Sequence, residues 1–284
     1  MPKALTKTQI DHFHEQGYLS PVPALSPDEI AYFRARLEAF EAKFPDDRLK
    51  LKSKSHLLCP WVEEIARHDG ILDVYEDLIG PNILCYSMAF RIKEPDGKTH
   101  AGWHQDGAHN PIRPILVIGA LALADCTPDH GCLKVIPGSH KTGTLDHIDT
   151  GNPESILTRG QYIPEGFDES QAVEMPLKAG EIGLFNAQAI HSSGVNTAEN
   201  RRIVLLVEMM PTHVEVRAHR DSGMLVRGVD TYGRVDIDPS PQEEFGENEL
   251  AAWRNTSRKT GQNVFANSPL KPNGIYSDKE LGPA

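Results

Sequence analysis

Between residues 82 and 211 five apolar runs of strand length follow one another, with no amphipathic helix between them. They are 82–93, 112–125, 132–136, 180–185 and 202–210. Turn signals close two of them, Pro95-Asp96-Gly97 and Pro137-Gly138-Ser139. A doubly wound parallel sheet needs helices alternating with strands, and that alternation is missing. An antiparallel barrel or jelly roll is the architecture such a series predicts, mainly β with flanking helices. The 23 glycines and 21 prolines suit its many turns.

The residues before this series read differently. Thr6 and Gln9 form a capping box, which starts a helix of about ten residues with Ile10, Phe13 and His14 on one face and Gly17 at its end. Ser26-Pro27-Asp28-Glu29 is a stronger start, and Ile30, Phe33, Leu37 and Phe40 keep a helical period until Pro45. A third helix is expected from Trp61 to Ile79, closed by Gly80-Pro81. Residues 141–178 form a long polar insertion, of the kind that serves as a lid or binding loop. A further helix is expected near 241–261. One catalytic domain of 1–284 is the simplest organisation, with a helical part at about 5–80, a core at about 82–211 and an extension at 212–284.

Several function classes are disfavoured. The net charge of −11 argues against a sequence-independent grip on nucleic acid, which needs a basic face. No apolar run approaches the ~20 residues of a membrane helix, and residues 1–13 contain no apolar segment of a secretion signal. The expectation is a cytoplasmic protein acting on a small molecule, with no nucleic-acid or membrane partner. Cys59, Cys85, Cys126 and Cys132 form no C-x-x-C pair and read as reduced, buried filler.

The chemistry centres on Trp103-His104-Gln105-Asp106. On extended backbone, residues two apart face the same side, so His104 and Asp106 point together and Gln105 points away. Two such ligands plus a histidine from a distant strand make a 2-His-1-carboxylate facial triad, the arrangement of non-haem Fe(II) oxygenases. The pair alone is a weak signal. The stretch 180–194 strengthens it by placing His191 after a strand-like run, and Arg201 and Arg202 open the next strand. An arginine fork suits the distal carboxylate of an organic acid that chelates the metal.

Trp103-His104-Gln105-Asp106, then the run 131–143, then the run 179–202, together resemble the phytanoyl-CoA dioxygenase superfamily of Fe(II)- and 2-oxoglutarate-dependent oxygenases. The opening helices resemble that family's as well, and the similarity covers about residues 5–211. The resemblance implies a double-stranded β-helix (jelly-roll) core. It also implies His104, Asp106 and His191 as Fe(2+) ligands. The family's cosubstrate arginine lies eleven residues after the distal histidine, at Arg202 here; strand parity alone does not choose between Arg201 and Arg202. A serine two residues after that histidine, Ser193, is implied as a second cosubstrate contact. The implied cofactors are Fe(2+), 2-oxoglutarate and O2, and the implied reaction is hydroxylation of an unactivated C–H bond, with succinate and CO2 released. Halogenating relatives replace the carboxylate ligand by a small residue; Asp106 is present, which points to hydroxylation or a related outcome such as desaturation or ring formation.

The substrate is not legible at this level. Arg91, His109, Asn110, Arg113, Asn186 and Gln188 are the candidates for the pocket wall, and anionic, amino-acid-like and natural-product substrates all remain open. Arg91 lies inside a strand and needs an anionic partner, whether substrate, cosubstrate or a protein carboxylate. Lys93 and Lys98 read as the flanks of a solvated turn. His140 reads as part of a turn at the barrel rim. Two rival functions are an iron-binding sensor without turnover and a zinc hydrolase using the same ligands.

Overall fold

The structure, a computed structural model, describes residues 2–109, 112–216 and 219–282. Asn110 of the candidate wall, and Arg217 and Ala218 of the tail, lie outside them. The strands are β1 (Tyr18–Pro23), β2 (Ile83–Lys93), β3 (Ala101–His104), β4 (Ile112–Arg113), β5 (Val117–Ala122), β6 (Leu133–Val135), β7 (Val173–Met175), β8 (Glu181–Asn186), β9 (His191–Ser193), β10 (Arg202–Pro211), β11 (Glu215–Val216), β12 (Ser222–Arg227) and β13 (Asp236–Ile237). The larger sheet runs β1-β8-β5-β10-β2-β12-β13, and a four-stranded sheet runs β3-β9-β6-β7. The mainly β jelly-roll expectation is met, and the closed-barrel alternative is not.

Four helices precede this core: α1 (Lys7–Gln16), α2 (Pro27–Lys43), α3 (Pro60–Ala66) and α4 (Asp69–Ile79). Both expected capping boxes are formed, at Thr6 and at Ser26. Phe33, Leu37, Phe40, Trp61, Ile71 and Tyr75 pack with Val117, Leu121, Leu205 and Val207, so the helices cover one face of the large sheet. The opposite face is left for the site. A fifth helix, α5 (Glu247–Val264), follows the last strand.

Three expectations need correction. The single helix from Trp61 to Ile79 is two helices, because His68 leaves the helical region and its ring pairs with Glu29 at 2.8 Å. The single strand from Ile112 to Asp125 is split at Pro114, which has no N–H to continue a ladder; β4 pairs with β11 and β5 joins the large sheet. The insertion is not structureless throughout, since β7 adds to the edge of the small sheet beside β6. No helix among the described residues is long and apolar enough to cross a membrane.

Candidate metal centre and its cavity

β3 and β9 are antiparallel neighbours, and their register sets His104 directly opposite His191. The two rings lie 4.1 Å apart, and Phe185 of β8 stacks on His191 at 4.4 Å. β3 ends at His104, so Asp106 is not on the strand; it opens a short 3-10 turn. The parity argument survives because Gln105 is still extended, at φ −124° and ψ 119°. Asp106 Oδ1 lies 3.4 Å from His104 Nε2, and its Oδ2 lies 3.4 Å from His191 Nε2.

The tautomers follow from the backbone. His104 Nδ1–H donates to the Gly102 carbonyl at 2.8 Å, and His191 Nδ1–H to the Ala189 carbonyl at 3.0 Å. Each Nε2 therefore carries a free lone pair aimed at the Asp106 carboxylate. One donor atom from each residue falls within a 4.8 Å cluster, with both histidines buried and Asp106 partly open to the cavity. Burial, then the neighbouring His104 ring, hold His191 down at about 4. Burial alone would raise Asp106, but His191 and His104 outweigh it and keep the carboxyl well below the usual range. Two neutral imidazoles and a carboxylate are the protonation states a divalent cation requires, so this donor set fits a metal.

Gln105 was expected to point away, and it does so with a purpose. Its side chain donates to Gly143 O at 2.8 Å and Gln188 O at 2.7 Å and accepts from Leu145 N at 2.8 Å. This fastens the triad turn to the start of the insertion and to the turn before β9.

The cavity beside the triad is walled by the large sheet on one side and by the insertion and α5 on the other. β10 contributes Arg202, Val204, Leu206 and Glu208, alternate residues of one strand face. Ile156, Leu157 and Gln161 come from the insertion, and Thr260 and Val264 from α5. Arg159 of the insertion, itself buried, pairs with Asp149 at 2.8 Å and donates to Val264 O at 2.6 Å, so loop and helix are joined over the mouth.

The two arginines face opposite ways. Arg201 turns outward to Glu41 (2.8 Å) and Glu94 (3.1 Å). Arg202 turns inward and is buried; it donates to Gly131 O at 2.7 Å and Arg91 O at 3.3 Å, and its Nε–H has no acceptor among the described residues. Gly131 sits at φ +65°, and a Cβ there would stand 2.2 Å from Gly194 O, so only glycine lets this carbonyl meet Arg202. Ser193 shares the cavity wall with Arg202.

Lys93 departs from expectation. It is fully buried, not solvated, and its ammonium donates to Ser193 Oγ at 2.8 Å, to Ser193 O at 3.3 Å and to Gly194 O. Burial, then the Arg202 charge, bring it down to about 6.

The candidate wall residues divide. Arg91 and His109 line the cavity. Arg91 donates to Lys52 O at 2.8 Å and to Phe90 O, and no protein carboxylate pairs with it among the described residues, which removes one of its three possible partners. His109 accepts from Arg159 at 3.4 Å, and burial together with that charge takes it to about 2. Arg113, Asn186 and Gln188 are not on this wall. Arg113 donates to Gly107 O and Ile112 O. Asn186 faces opposite to Phe185 and accepts from Gln188 N at 2.9 Å, and Gln188 lies under Gly107. His140 donates to His14 O at 3.1 Å, a packing role at the rim. The four cysteines are free and buried.

Among known proteins, the family model described as phytanoyl-CoA dioxygenase matches residues 13–204. A probable alpha-ketoglutarate-dependent hypophosphite dioxygenase of Stutzerimonas stutzeri is 27% identical over 163 residues, 56% of this chain and 56% of that protein. The peroxisomal phytanoyl-CoA dioxygenase of Mus musculus is 29% identical over 227 residues, covering 70% of this chain and 66% of that one. The chain thus spans less than two thirds of the length of these curated relatives. Among solved structures, the apo form of the non-heme monooxygenase ThoJ superposes with a TM-score of 0.79 at 26% identity, covering 91% of this chain and 98% of that one.

Proposed function

This chain belongs to the phytanoyl-CoA dioxygenase family, and we propose that it is an Fe(II)- and 2-oxoglutarate-dependent dioxygenase that hydroxylates a C–H bond of a small-molecule substrate. His104 Nε2, the Asp106 carboxylate and His191 Nε2 hold the iron. Arg202 and Ser193, with Lys93 behind them, hold the distal carboxylate of 2-oxoglutarate. The observation that carries this reading is the convergence of three donors whose tautomers and charge state suit a divalent cation, in a chain with this family's sequence pattern.

Iron held by these three residues would, with 2-oxoglutarate and O2, supply the oxidative decarboxylation to succinate and CO2 that delivers one oxygen atom to the substrate C–H bond. The protein's own part is positional. The Gly102 and Ala189 carbonyls fix the two imidazoles so that each ligates through Nε2. Gln105 holds the Asp106 turn in place from behind. Arg202, its guanidinium pinned by Gly131 O, offers its remaining N–H groups to a carboxylate. The insertion and α5 limit water at the cavity. Asp106 occupies the position that halogenating relatives leave to a small residue, which favours hydroxylation.

The test is an anaerobic titration of metal-free protein with Fe(II) and 2-oxoglutarate. A visible charge-transfer band is expected for wild type and no band for Asp106→Ala. Under air, wild type should release succinate in proportion to 2-oxoglutarate consumed. Absence of both band and succinate overturns the reading.

A further inference from the structure

β10 lays four residues along the cavity floor, from Arg202 at one end to Glu208 at the other. Glu208 is only 8% exposed, and among the described residues nothing donates a hydrogen bond to it and no cation pairs with it. Its neighbours are committed elsewhere. Tyr86 and Thr260 both donate to Asp221, at 2.9 and 3.1 Å. Tyr276 donates to Ser53 Oγ at 3.3 Å. Lys54 spends its ammonium on Ser222 O at 2.9 Å and on Asp238 at 3.3 Å. Folded chains rarely leave a buried carboxylate without donors, because the desolvation cost is not offset. Burial, then the Asp106 charge, push Glu208 up to about 8.

Asp106 and Glu208 are the only carboxylates on this wall among the described residues. Apolar side chains from three directions, Leu206, Leu157 and Val264, complete it. Arg91, a half-buried cation of the wall, stands opposite Val204 in the β2–β10 register, whereas Glu208 stands opposite Ser87; the Arg91 and Lys54 charges act on Glu208 without pairing with it. Four residues of strand separate the two, roughly 13 Å at about 3.3 Å per residue. The Glu208 end therefore presents, among the described residues, a carboxyl with no hydrogen-bond donor of its own beside apolar surface.

We propose that Glu208 is the specificity residue that anchors a protonated amine of the substrate, and that the substrate is an amine with an apolar body. This rests on the oxygenase reading, since it places the oxidised C–H bond between the amine and the triad. An ammonium would supply the missing donors and a counter-charge together. A carboxylate substrate would bring no counter-charge to that position, and an alcohol would supply a single donor without charge.

The test uses probes of equal length, n-hexylamine, 1-hexanol and hexanoate. Each is titrated into wild type, Glu208→Gln and Glu208→Asp loaded anaerobically with Fe(II) and 2-oxoglutarate, reading the shift of the visible band. Saturation-transfer NMR on the metal-free proteins gives a second, iron-independent reading. Hexylamine should bind wild type at least tenfold more tightly than hexanol, with hexanoate weakest. The preference should fall to within twofold in Glu208→Gln and persist in part in Glu208→Asp, with circular dichroism showing both variants folded. Equal binding of amine and alcohol to wild type, or a preference that survives in Glu208→Gln, overturns the proposal. A wild type that forms no band while NMR still shows the amine preference refutes the oxygenase reading and upholds the anchor.

Discussion

Lys54 and Lys93 are both fully buried, and both lie against the large sheet, yet their surroundings differ in one respect. The Lys54 ammonium meets Asp238 at 3.3 Å, two oxygens of Ser222, and the face of Tyr86 at 4.6 Å. The Lys93 ammonium meets only neutral oxygens, and the charge beside it is another cation, Arg202. Near Lys54 the chain completes its own ion pair. Near Lys93 two buried cations share one site, and no protein carboxylate answers them among the described residues. Burying charge without a partner is expensive, so the second arrangement makes sense as half of a pair whose other half is an anion that binds. The two ends of the sheet thus teach which charges belong to the fold and which belong to a ligand.

The contrast is tested most severely by removing each cation. Lys54→Met strands Asp238 in the interior, and breaking a buried pair in this way costs about 3–5 kcal/mol. Urea unfolding of the metal-free protein should show that loss. Lys93→Met strands no charge, only the Ser193 and Gly194 oxygens that the ammonium meets, so its unfolding free energy should fall by much less. Equal destabilisation by the two substitutions would show that the Lys93 site is internally paired after all.

The next largest effect concerns Arg202. Its loss should weaken 2-oxoglutarate binding about 100-fold, equivalent to roughly 2.7 kcal/mol and in keeping with two charge-assisted hydrogen bonds. Arg201→Met, which removes a guanidinium facing Glu41 and Glu94, should leave that affinity within about threefold. Titrations read from the charge-transfer band separate the two. If Arg201→Met loses as much affinity as Arg202→Met, the assignment by strand face is wrong.

That pair of neighbours also shows what was legible in the sequence. The grouping of His104, Asp106 and His191 was, through alternation on extended backbone for the first two and through the family's motif order for His191. The choice of Arg202 rested on family spacing, although one more clue was present: Glu208 lies six residues on and therefore shares the Arg202 face. It passed unread because β10 is buried on both sides, and its apolar run hides the period that would mark a face. The burial of Lys93 is hidden from the sequence for a related reason. Its place near Pro95-Asp96-Gly97 suggests solvent, but β9 and the chain after it cover the strand end, a tertiary contact about 100 residues away in sequence. Arg113, Asn186 and Gln188 lie near the motifs along the chain but not on the cavity wall. Pro114 diverts the first, and the parity set by Phe185 turns the second away. The helix break at His68 had only a weak local signal, the Asp69-Gly70 that follows it.

The smallest expected effect is a pH dependence, and it probes the same missing anion. The folded-state value of Lys93, about 6, lies below its ordinary 10.5. The cost of holding it charged is therefore complete below about pH 6, and the metal-free fold gains stability as pH rises from about 6 toward 10.5. Binding of a dianion works in the opposite direction, because it favours the ammonium and so takes up a proton. Arg202, Cys126 and Cys132 are the other ionisable groups around it; burial raises both thiols, Cys132 to about 11, so neither titrates near neutrality. Wild-type affinity for 2-oxoglutarate, measured with Fe(II) bound, should weaken by up to about tenfold between about pH 6.5 and about pH 8. Lys93→Met should start weaker at the lower pH and show a flat profile, while Lys93→Arg should bind at both pH values without the slope. A wild-type profile as flat as that of Lys93→Met would mean that the ammonium serves only to hold Ser193 and the carbonyls of β9, and that Arg202 alone meets the cosubstrate.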